Sequence, residues 1–395
     1  MQTATLPRFM TPLLFIDAPV RRPADARRPA LQLRLGGVPL RKSPVDFWHS
    51  PAVIAANNFI YKSLSNWAFN IAVGCSHACR FCYVPSAATN KLAPMLAEYG
   101  VEDPDAEWGD YLLIRPWDEA RFLASLRAAE NTPRSQLKPD GNRAVIYCST
   151  TDPYQVIRHP DPARQRALAD HARKLVRRSL ELIRDHSTLN VRILTRSPLA
   201  RADFDLFRRF GKRLVFGMSL PTLRNDLAKV YEPKAPAPSQ RLAALRAAKE
   251  AGLHVYVAMA PTYPECDEAD LRATLKAVAE LEPLTIFHEP INIRAENVAR
   301  IETQAETLGI RLRTEVFDNR ESWQDYAVNA LQTVERLANE VGVGDQFHLW
   351  PDKSLGSESC MSRLASLNSF GTRNSPLEIQ RWLQNWWRRT SAWPK

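Results

Sequence analysis

The chain has 395 residues, of which 45% are hydrophobic and 24% are charged, a composition close to that of globular proteins with a sizeable core. Its formal net charge of +10 permits an anionic partner such as a nucleic acid, although many basic proteins bind none. No apolar run approaches the roughly 18 residues of a membrane span, so we expect no membrane partner.

Residues 1–60 are rich in proline and arginine and show no sustained period, which predicts a loosely ordered arm leading into a first strand. The only apolar patch near the beginning contains prolines and has no small-residue cleavage site after it. The arginine pairs at 21–22 and 27–28 lack the hydrophobic segment of an export signal. We therefore expect a cytoplasmic protein, in which thiols stay reduced and clustered cysteines indicate a metal site or catalysis.

From about Trp67 onward, short apolar runs alternate with helical stretches. The runs are continuous, as in strands covered on both faces, and lie at 68–73, 144–148, 191–195, 213–219, 254–260 and 284–289. The clearest helices are predicted at 163–185, 239–251 and 267–281, the first with Asp161 as N-cap and Pro162 in its first turn. Six such alternations predict an α/β fold, a partial TIM-like (β/α)6 barrel of parallel strands, with its chemistry at the carboxyl ends of the strands.

This alternation stops after about residue 310, where a helix near 322–341 and a tryptophan-rich terminal segment follow. Ile379, Trp382, Leu383 and Trp386 have the spacing of an amphipathic helix that packs on the barrel. The alternative is an aromatic and arginine-rich surface that stacks nucleic-acid bases. The predicted domains are an N-terminal arm (1–60), a partial barrel (61–310) and a C-terminal helical extension (311–395).

The stretch GCSHACRFCY (74–83) holds three of the six cysteines, Cys75, Cys79 and Cys82, directly after the first predicted strand. A structural zinc site needs four protein ligands, but no fourth cysteine lies within normal reach and His77 is awkwardly placed inside the loop. Three thiolates leave one position open, which on a [4Fe–4S] cube is an iron that can bind something else.

The spacing Cys75-x3-Cys79-x2-Cys82, with Phe81 before the third cysteine, resembles the signature of the radical S-adenosylmethionine (SAM) enzymes. The resemblance implies a [4Fe–4S] cluster whose open iron binds SAM and whose electron releases a 5′-deoxyadenosyl radical. Over roughly residues 60–295, segments such as STTDPYQ, LTRSP and YEPKAPAPSQRL resemble the spore photoproduct lyase-related radical SAM proteins.

This resemblance implies a set of SAM-contacting residues, which are Phe81, Ser149, Thr150, Asp152, Arg196, Ser219, Glu232 and Arg241. Other roles are open for several of them. Asp152 before Pro153 can cap a helix, and Arg196 at a strand end can be solvated. Glu232 and Arg241 can form an internal ion pair that orders the proline-rich loop between them.

The resemblance also implies that Cys148 returns a hydrogen atom to the product radical, with inert packing in a core strand as the alternative. Strand alternation puts Cys148 on the same face as Ile146, whereas Val145 and Tyr147 face the helices. Tyr83 lies near the radical path or packs around the cluster.

The segment FHEPINIRAENV predicts a polar group at the carboxyl end of the sixth strand, made of His288, Glu289, Asn292, Arg294 and Asn297. It is a candidate substrate site or a set of caps for the next helix. Cys266 and Cys360 are weak candidates for an auxiliary cluster because they are single and distant from one another.

The family and the basic charge together favour a nucleic acid as the substrate, and the chemistry requires a reductant such as a flavodoxin or ferredoxin. One alternative is the radical modification of a peptide or small metabolite. Another is a cluster-bearing protein that binds nucleic acid or acts as a sensor without turnover.

Overall fold

The structure is a computed structural model described for residues 42–57, 64–138, 142–294, 296–357, 359–361, 376–389 and 393. Residues 1–41 of the predicted arm lie outside this part of the chain. The described residues form eleven strands: β1 (Val45–Phe47), β2 (Ile54–Ala56), β3 (Trp67–Phe69), β4 (Ala72–Gly74), β5 (Leu112–Ile114), β6 (Ala144–Tyr147), β7 (Asn190–Thr195), β8 (Leu214–Ser219), β9 (Val255–Thr262), β10 (Ile286–Pro290) and β11 (Phe347–Leu349).

From β6 onward, at least one α-helix follows each strand of the same described ranges, and two α-helices come before β6. The α-helices are α1 (Ala93–Leu96), α2 (Glu119–Glu130), α3 (Pro162–His186), α4 (Phe204–Arg208), α5 (Asn225–Tyr231), α6 (Pro238–Glu250), α7 (Glu268–Ala279), α8 (Asn297–Leu308), α9 (Arg320–Val341) and α10 (Pro376–Arg388). None of these helices is long and apolar enough to cross a membrane.

The main sheet has the strand order β11-β10-β9-β8-β7-β6-β3-β2. All neighbours from β3 to β11 are parallel, and β2 pairs with β3 in the antiparallel direction. Because β2 and β11 form two separate edges, the sheet is an open, partial barrel, and the predicted α/β fold class is confirmed. Strand β11 is an addition, since the sequence predicted only helices in that region.

The two faces of this sheet carry different side chains because successive strand residues point to opposite sides. One face forms a small interior cluster made of Leu64, Ala68, Ile146, Val215, Tyr256, Phe287 and Trp350. The other face packs under the helices, as Val191, Ile193 and Phe216 do. The carboxyl ends of the parallel strands therefore surround the mouth of the interior face, where the candidate site lies.

The apolar run at 68–73, which we predicted as one strand, is two strands in two sheets. Strand β3 joins the main sheet, whereas β4 pairs with β5, which in turn pairs with β1, in a small three-stranded sheet. Asn70 and Ile71 separate the two strands. The Asn70 amide is engaged in hydrogen bonds with residues 149 and 150, which explains why the chain leaves the main sheet at this position.

The long helix α3 begins as predicted, since Asp161 accepts a hydrogen bond of 2.8 Å from the backbone N–H of Ala163 and Pro162 is the first helical residue. At the other end of the chain, Ile379, Leu383 and Trp386 of α10 are buried. Because the indole N–H of Trp386 also bonds Glu335 of α9, the prediction that this helix packs on the body of the protein is confirmed.

Candidate active site

The loop that carries Cys75, Cys79 and Cys82 folds at positions where only a small residue fits. Gly74 has a φ of +90°, and a Cβ atom there would lie 2.3 Å from the carbonyl oxygen of Tyr111. Ala78 also has a positive φ, of 55°, and a Cβ at Gly109 would lie 2.2 Å from the Cβ of Ala78. The cysteine loop therefore packs tightly against the turn at 109–111.

The three thiols of the loop are free and lie near enough to influence one another. Burial is the main cause that raises the pKa of each, and it raises the pKa of Cys79 to about 12. The charge of Cys79 further raises the pKa of Cys75, and the charge of Cys82 raises that of Cys79. Two buried thiolates and a half-buried third one are costly without a cation, so this donor set fits an iron–sulfur cluster.

Within the described ranges, no group of three or more His, Cys, Asp or Glu side chains is arranged to hold a single metal ion. A [4Fe–4S] cube takes each thiolate on a different iron, so its ligands stand farther apart than those of one ion. The charges that act on Cys266 are those of Asp270 and Glu265, and Cys360 is buried elsewhere.

Arg300 of α8, which the sequence analysis did not single out, holds the end of the cysteine loop. Its Nε donates to the carbonyl of Arg80 at 3.2 Å, and its guanidinium also donates to the carbonyl of Cys82 and pairs with Asp105. Its positive charge lowers the pKa of Cys82, against the larger effect of burial. Nothing in the residue pattern indicates this contact, because the arginine lies in an ordinary amphipathic helix.

Tyr83 and Phe81 flank the third cysteine on different sides. The Tyr83 hydroxyl donates to the carbonyl of Ser149 at 3.3 Å, and burial raises the pKa of this tyrosine well above its usual value. The charge of Glu289 raises it further and that of Arg294 lowers it, so both of these predicted rim residues act on Tyr83. The ring of Phe81 lies under the guanidinium of Arg196, 5.6 Å from its centre.

Asp152 is buried and its carboxylate is fully engaged by the protein itself. It accepts hydrogen bonds from the Thr195 hydroxyl at 2.7 Å, the Tyr154 N–H at 2.9 Å and the Arg196 N–H at 2.8 Å. The Nδ1 atom of His77 lies 3.5 Å away. The predicted helix cap at Asp152 is wrong, because the next helix, α3, begins at Pro162. Asp152 instead ties the cysteine loop to the end of β7, and its contact with SAM stays a prediction.

Arg196, Glu232 and Arg241 form one ionic group, in which Glu232 and Arg241 are buried and Arg196 is half-buried. The Nε atom of Arg196 donates to Glu232 at 2.6 Å, and Arg241 pairs with the other oxygen of the same carboxylate. These two cations hold the pKa of Glu232 below its usual value although burial acts the other way. Arg241 also donates to the carbonyl of Pro236 at 2.8 Å, so the internal ion pair orders the proline-rich loop, as the sequence allowed.

Ser149 and Thr150 follow β6 and Ser219 ends β8, so all three lie at carboxyl ends of strands, as predicted, with β7 between the two strands. Asn70, which the sequence analysis missed, binds the first two: its amide donates to the Ser149 hydroxyl at 3.3 Å and accepts from the Thr150 N–H at 3.0 Å. Ser219 is buried at the end of β8, and its carbonyl accepts from Arg241 at 3.2 Å.

Cys148 does not follow the alternation that the sequence predicted. It packs in the same hydrophobic cluster as Val145 and Tyr147, whereas Ile146 belongs to the interior cluster. The reason is a φ of +63° at Cys148, which turns the backbone out of the strand geometry. Burial raises the pKa of its thiol, so Cys148 keeps its proton.

The polar group predicted after β10 is only partly at the rim. His288 is 0% exposed, faces the Thr262 hydroxyl at 3.0 Å and stacks near Phe347, so the prediction that it contacts substrate is not supported. Burial lowers its pKa to about 3. Arg294 pairs with Asp352 at the surface, and the Asn292 carbonyl accepts a hydrogen bond from Asn297 at the start of α8.

Two uncharacterised proteins are similar in sequence to this chain. Protein ORF301 of the Acidianus two-tailed virus is 32% identical over 254 residues, which are 62% of this chain and 74% of that protein. Protein MJ0683 of Methanocaldococcus jannaschii is 25% identical over 234 residues, 58% of this chain and 72% of that protein.

Among solved structures, a spore photoproduct lyase variant bound to dinucleoside spore photoproduct matches 77% of this chain and 80% of its own, with a TM-score of 0.54 and 15% identity. The same enzyme complexed with that dinucleoside matches 75% of this chain and 80% of its own, with a TM-score of 0.52 and 16% identity. These matches support the fold. The sequence profile of the radical SAM superfamily matches residues 69–278, which run from β3 into α7 and span more than half of the chain, so the protein belongs to the radical SAM superfamily.

Proposed function

We propose that this protein is an enzyme that holds a [4Fe–4S] cluster on Cys75, Cys79 and Cys82 and modifies a nucleic acid by radical chemistry. The observation that carries the proposal is the single loop after β4 with three free thiols, which is linked through His77 to Asp152 and thereby to the carboxyl end of β7. When bound by these thiolates, a [4Fe–4S] cluster would supply the single electron needed for reductive cleavage of SAM, the chemistry that would generate a hydrogen-abstracting radical.

Arg196 is the residue we assign to the SAM carboxylate. Glu232 holds its Nε atom, while its Nη atoms have no hydrogen-bond partner among the residues that the structure describes. Its guanidinium is also fixed over the ring of Phe81. A guanidinium held on one edge presents the other edge in a fixed geometry to a carboxylate, which is the favourable arrangement for a paired hydrogen bond.

Tyr83 is the group we assign to hydrogen-atom transfer back to the product, and Cys148 is the second candidate although it packs with Val145 and Tyr147 and not on the interior face. Burial raises the pKa of both, so each keeps the O–H or S–H bond that a hydrogen-atom donor needs. They are connected through Ser149, which follows Cys148 in the chain and whose carbonyl accepts the Tyr83 hydroxyl. Glu289 and Arg294 act on the same tyrosine and are the remaining candidates for substrate contact.

Two observations support a nucleic acid as the substrate class. The chain carries a net charge of +10, which favours binding to a polyanion. Its fold is similar to that of an enzyme crystallised with a dinucleoside photoproduct. Modification of a peptide or metabolite, and binding of nucleic acid without turnover, are the alternative functions.

The test is anaerobic reconstitution followed by assay of 5′-deoxyadenosine released from SAM under reducing conditions. The wild type is expected to bind about four irons per chain and to release 5′-deoxyadenosine. Alanine at Cys75, Cys79 or Cys82 should abolish both, whereas Cys266→Ala and Cys360→Ala are matched controls that should keep the iron. Full iron content in a loop variant would contradict the proposed ligands.

Iron without any release of 5′-deoxyadenosine would favour the sensor alternative. The substrate class is tested separately by sequencing the RNA and DNA that copurify with the protein. Release of 5′-deoxyadenosine that no nucleic acid stimulates would favour the peptide or metabolite alternative.

Cys148→Ala tests the assignment of the hydrogen donor, and Cys266→Ala is the matched control. The change removes little volume, so the cluster should be retained. Release of 5′-deoxyadenosine should continue in Cys148→Ala, while the yield of normal product falls and misdirected radical products appear. Product analysis by mass spectrometry measures this, and a wild-type yield would show that Cys148 only fills the core.

A further inference from the structure

A buried arginine lies on the interior face of the main sheet, in the amino half of its strand. Arg192 of β7 is in register with Ile146 of β6 and Val215 of β8, which both belong to the interior cluster, so its side chain points to the same face. Arg192 is 0% exposed. It precedes Thr195 by three residues, which places it about 10 Å along the strand from the end that carries the candidate active site.

The guanidinium of Arg192 is hydrogen-bonded on one side only. Its Nη1 atom donates to the backbone carbonyls of Val191 and Arg213, at 3.1 and 3.5 Å. Its Nε and Nη2 atoms are buried, and neither has a hydrogen-bond partner within the described ranges of the chain. These two atoms form the edge of a guanidinium that binds both oxygens of a carboxylate side by side. A buried donor pair without an acceptor is costly unless something binds there.

Tyr256 of β9 brings a third donor close to this edge. Its ring lies across Gly217 of β8, where a Cβ atom would stand 2.2 Å from the ring, so a residue without a side chain makes room for it. Its hydroxyl is buried and also lacks a hydrogen-bond partner in the part of the chain that the structure describes. The two groups are near enough to affect one another, since Tyr256 raises the pKa of Arg192 and Arg192 lowers that of Tyr256, each against the larger effect of burial.

Trp393 covers both groups. The Cζ atom of Arg192 lies over its indole ring at 4.4 Å, and the ring of Tyr256 meets the indole edge-on at 5.3 Å. A ring face stabilises the positive charge but offers no oxygen atom to the Nε and Nη2 donors. Trp393 is half-buried, whereas Arg192 and Tyr256 are 0% exposed, so a small ligand reaches them from the side of Trp393.

The donors and the charge together select the chemical class of the ligand. Two N–H groups and one hydroxyl require a ligand that accepts hydrogen bonds, and a single buried cation balances a single negative charge. A phosphate dianion would bury a second charge without a partner, which is costly. A carboxylate has one charge and two oxygens, which is the number that the guanidinium edge binds.

We propose that Arg192 and Tyr256 form a buried binding site for a small carboxylate, with Trp393 as its cover. One carboxylate oxygen accepts from Nε of Arg192 and the other from Nη2, and the Tyr256 hydroxyl donates to one of the two. The site uses none of the residues assigned to the cluster, to SAM or to hydrogen-atom transfer, so this inference does not rest on the proposed function.

Formate is the probe for this site because it is the smallest carboxylate, and neutral formamide is the matched control ligand. The urea unfolding free energy of the full chain is measured at pH 7 while formate replaces chloride at constant ionic strength. A ligand that binds only the folded protein stabilises it, so formate should stabilise the wild type saturably. Formamide at the same concentrations should not stabilise it.

Arg192→Met should abolish the stabilisation by formate. Tyr256→Phe should weaken the apparent affinity for formate about tenfold, because a hydrogen bond to a charged group is lost. Arg192→Lys should weaken it as well, since lysine keeps the charge without the paired edge. Arg246→Met is the matched control, because it removes an arginine at the surface of α6, and it should respond to formate as the wild type does.

Each variant is compared with itself in the presence and absence of formate, so a loss of stability caused by the substitution alone does not change this readout. An equal response to formate in the wild type and Arg192→Met would overturn the site. Stabilisation by formamide as large as that by formate would overturn it too. Saturable binding of inorganic phosphate that requires Arg192, without any binding of formate, would overturn the carboxylate as the ligand.

Discussion

Two arginines of the described residues, Arg192 and Arg241, are 0% exposed, and they lie at opposite ends of the main sheet in opposite surroundings. Arg241 lies at the carboxyl end, is 0% exposed, pairs with Glu232 and donates to the carbonyls of Ser219 and Pro236. Arg192 lies in the amino half of β7 and is also 0% exposed. Its Nε and Nη2 atoms have no hydrogen-bond partner within the described residues, and it stacks on the ring of Trp393 at 4.4 Å.

This difference shows where the protein pairs its charges. At the carboxyl end, two guanidiniums share one carboxylate, so the groups that would face SAM are fixed before any ligand binds. At the amino end, only aromatic rings and two backbone carbonyls shield the cation, and burial lowers the pKa of Arg192 to about 10. Fixed charges thus occur where the proposed chemistry needs them.

Arg241→Met should give the largest effect. It leaves the buried carboxylate of Glu232 with Arg196 as its remaining partner, and breaking a buried pair on one side costs roughly 3–5 kcal/mol of unfolding free energy. Urea unfolding followed by circular dichroism measures the change.

The matched control is Arg246→Met on the same helix, α6. Arg246 pairs with Glu280 at the surface, 3.0 Å away, and exposed pairs of this kind contribute about 1 kcal/mol or less. If both variants lost the same unfolding free energy, Arg241 would stabilise the protein through packing and not through its ion pair with Glu232.

The sequence predicted the elements of the main sheet well because parallel strands covered on both faces are continuous apolar runs. It could not predict the division of 68–73 between two sheets, since both halves are equally apolar and the separation depends on the contacts of Asn70 with distant residues. Strand β11 was missed because it has three residues and its pairing with β10 is long-range.

For the site, the cysteine spacing was sufficient to predict three neighbouring thiols, because all three lie in one short loop. The partners of the other residues come from distant segments, as Arg300 does for Cys82, and spacing carries no information on such contacts. Two predictions near strand ends were wrong. Alternation assigns a face only while the backbone stays extended, which it does not at Cys148. A position at a strand end does not guarantee exposure, and His288 is buried.

His288 is a further buried nitrogen base, and it differs from the two arginines in one respect. Its imidazole can lose its proton near neutral pH, whereas a guanidinium stays protonated. Its Nδ1 atom has no partner in the described part of the chain, and burial lowers its pKa from 6.5 to about 3. Between pH 6.5 and about 3, the imidazole of His288 therefore carries a proton in the unfolded chain but not in the folded protein. Stability from this group is complete above pH 6.5 and decreases as the pH falls toward 3, by at most about 1.4 kcal/mol per pH unit.

The measurement is the urea unfolding free energy of the wild type and of His288→Gln at several values between pH 7 and 5, where the wild type should lose roughly 2 kcal/mol more than the variant. His348→Gln gives a comparison, since burial and the charge of Arg389 lower the pKa of His348 to about 4. If the unfolding free energies of the wild type and His288→Gln changed equally with pH, burial of His288 would not be the cause of the pH dependence.

Arg192→Met should give the smallest effect although the residue is as buried as Arg241. A pKa lowered from 12.5 to about 10 corresponds to a cost of about 3 kcal/mol for the buried charge. Three contacts of Arg192 offset this cost. Its guanidinium donates to the carbonyls of Val191 and Arg213, at 3.1 and 3.5 Å, and stacks on the ring of Trp393. Hydrogen bonds and cation–π contacts contribute about 1 kcal/mol each, so the opposing effects nearly cancel.

Methionine keeps a long apolar side chain that can pack against the Trp393 ring, so we expect a change in unfolding free energy below about 1 kcal/mol in either direction. Arg192→Ala is the control for volume, because it leaves a cavity and should cost about 2 kcal/mol or more. Urea unfolding of both variants beside Arg241→Met makes the comparison direct. A loss in Arg192→Met as large as that in Arg241→Met would mean that the charge at the amino end is stabilised as strongly as the one at the carboxyl end, and pairing could not then distinguish the two ends of the sheet.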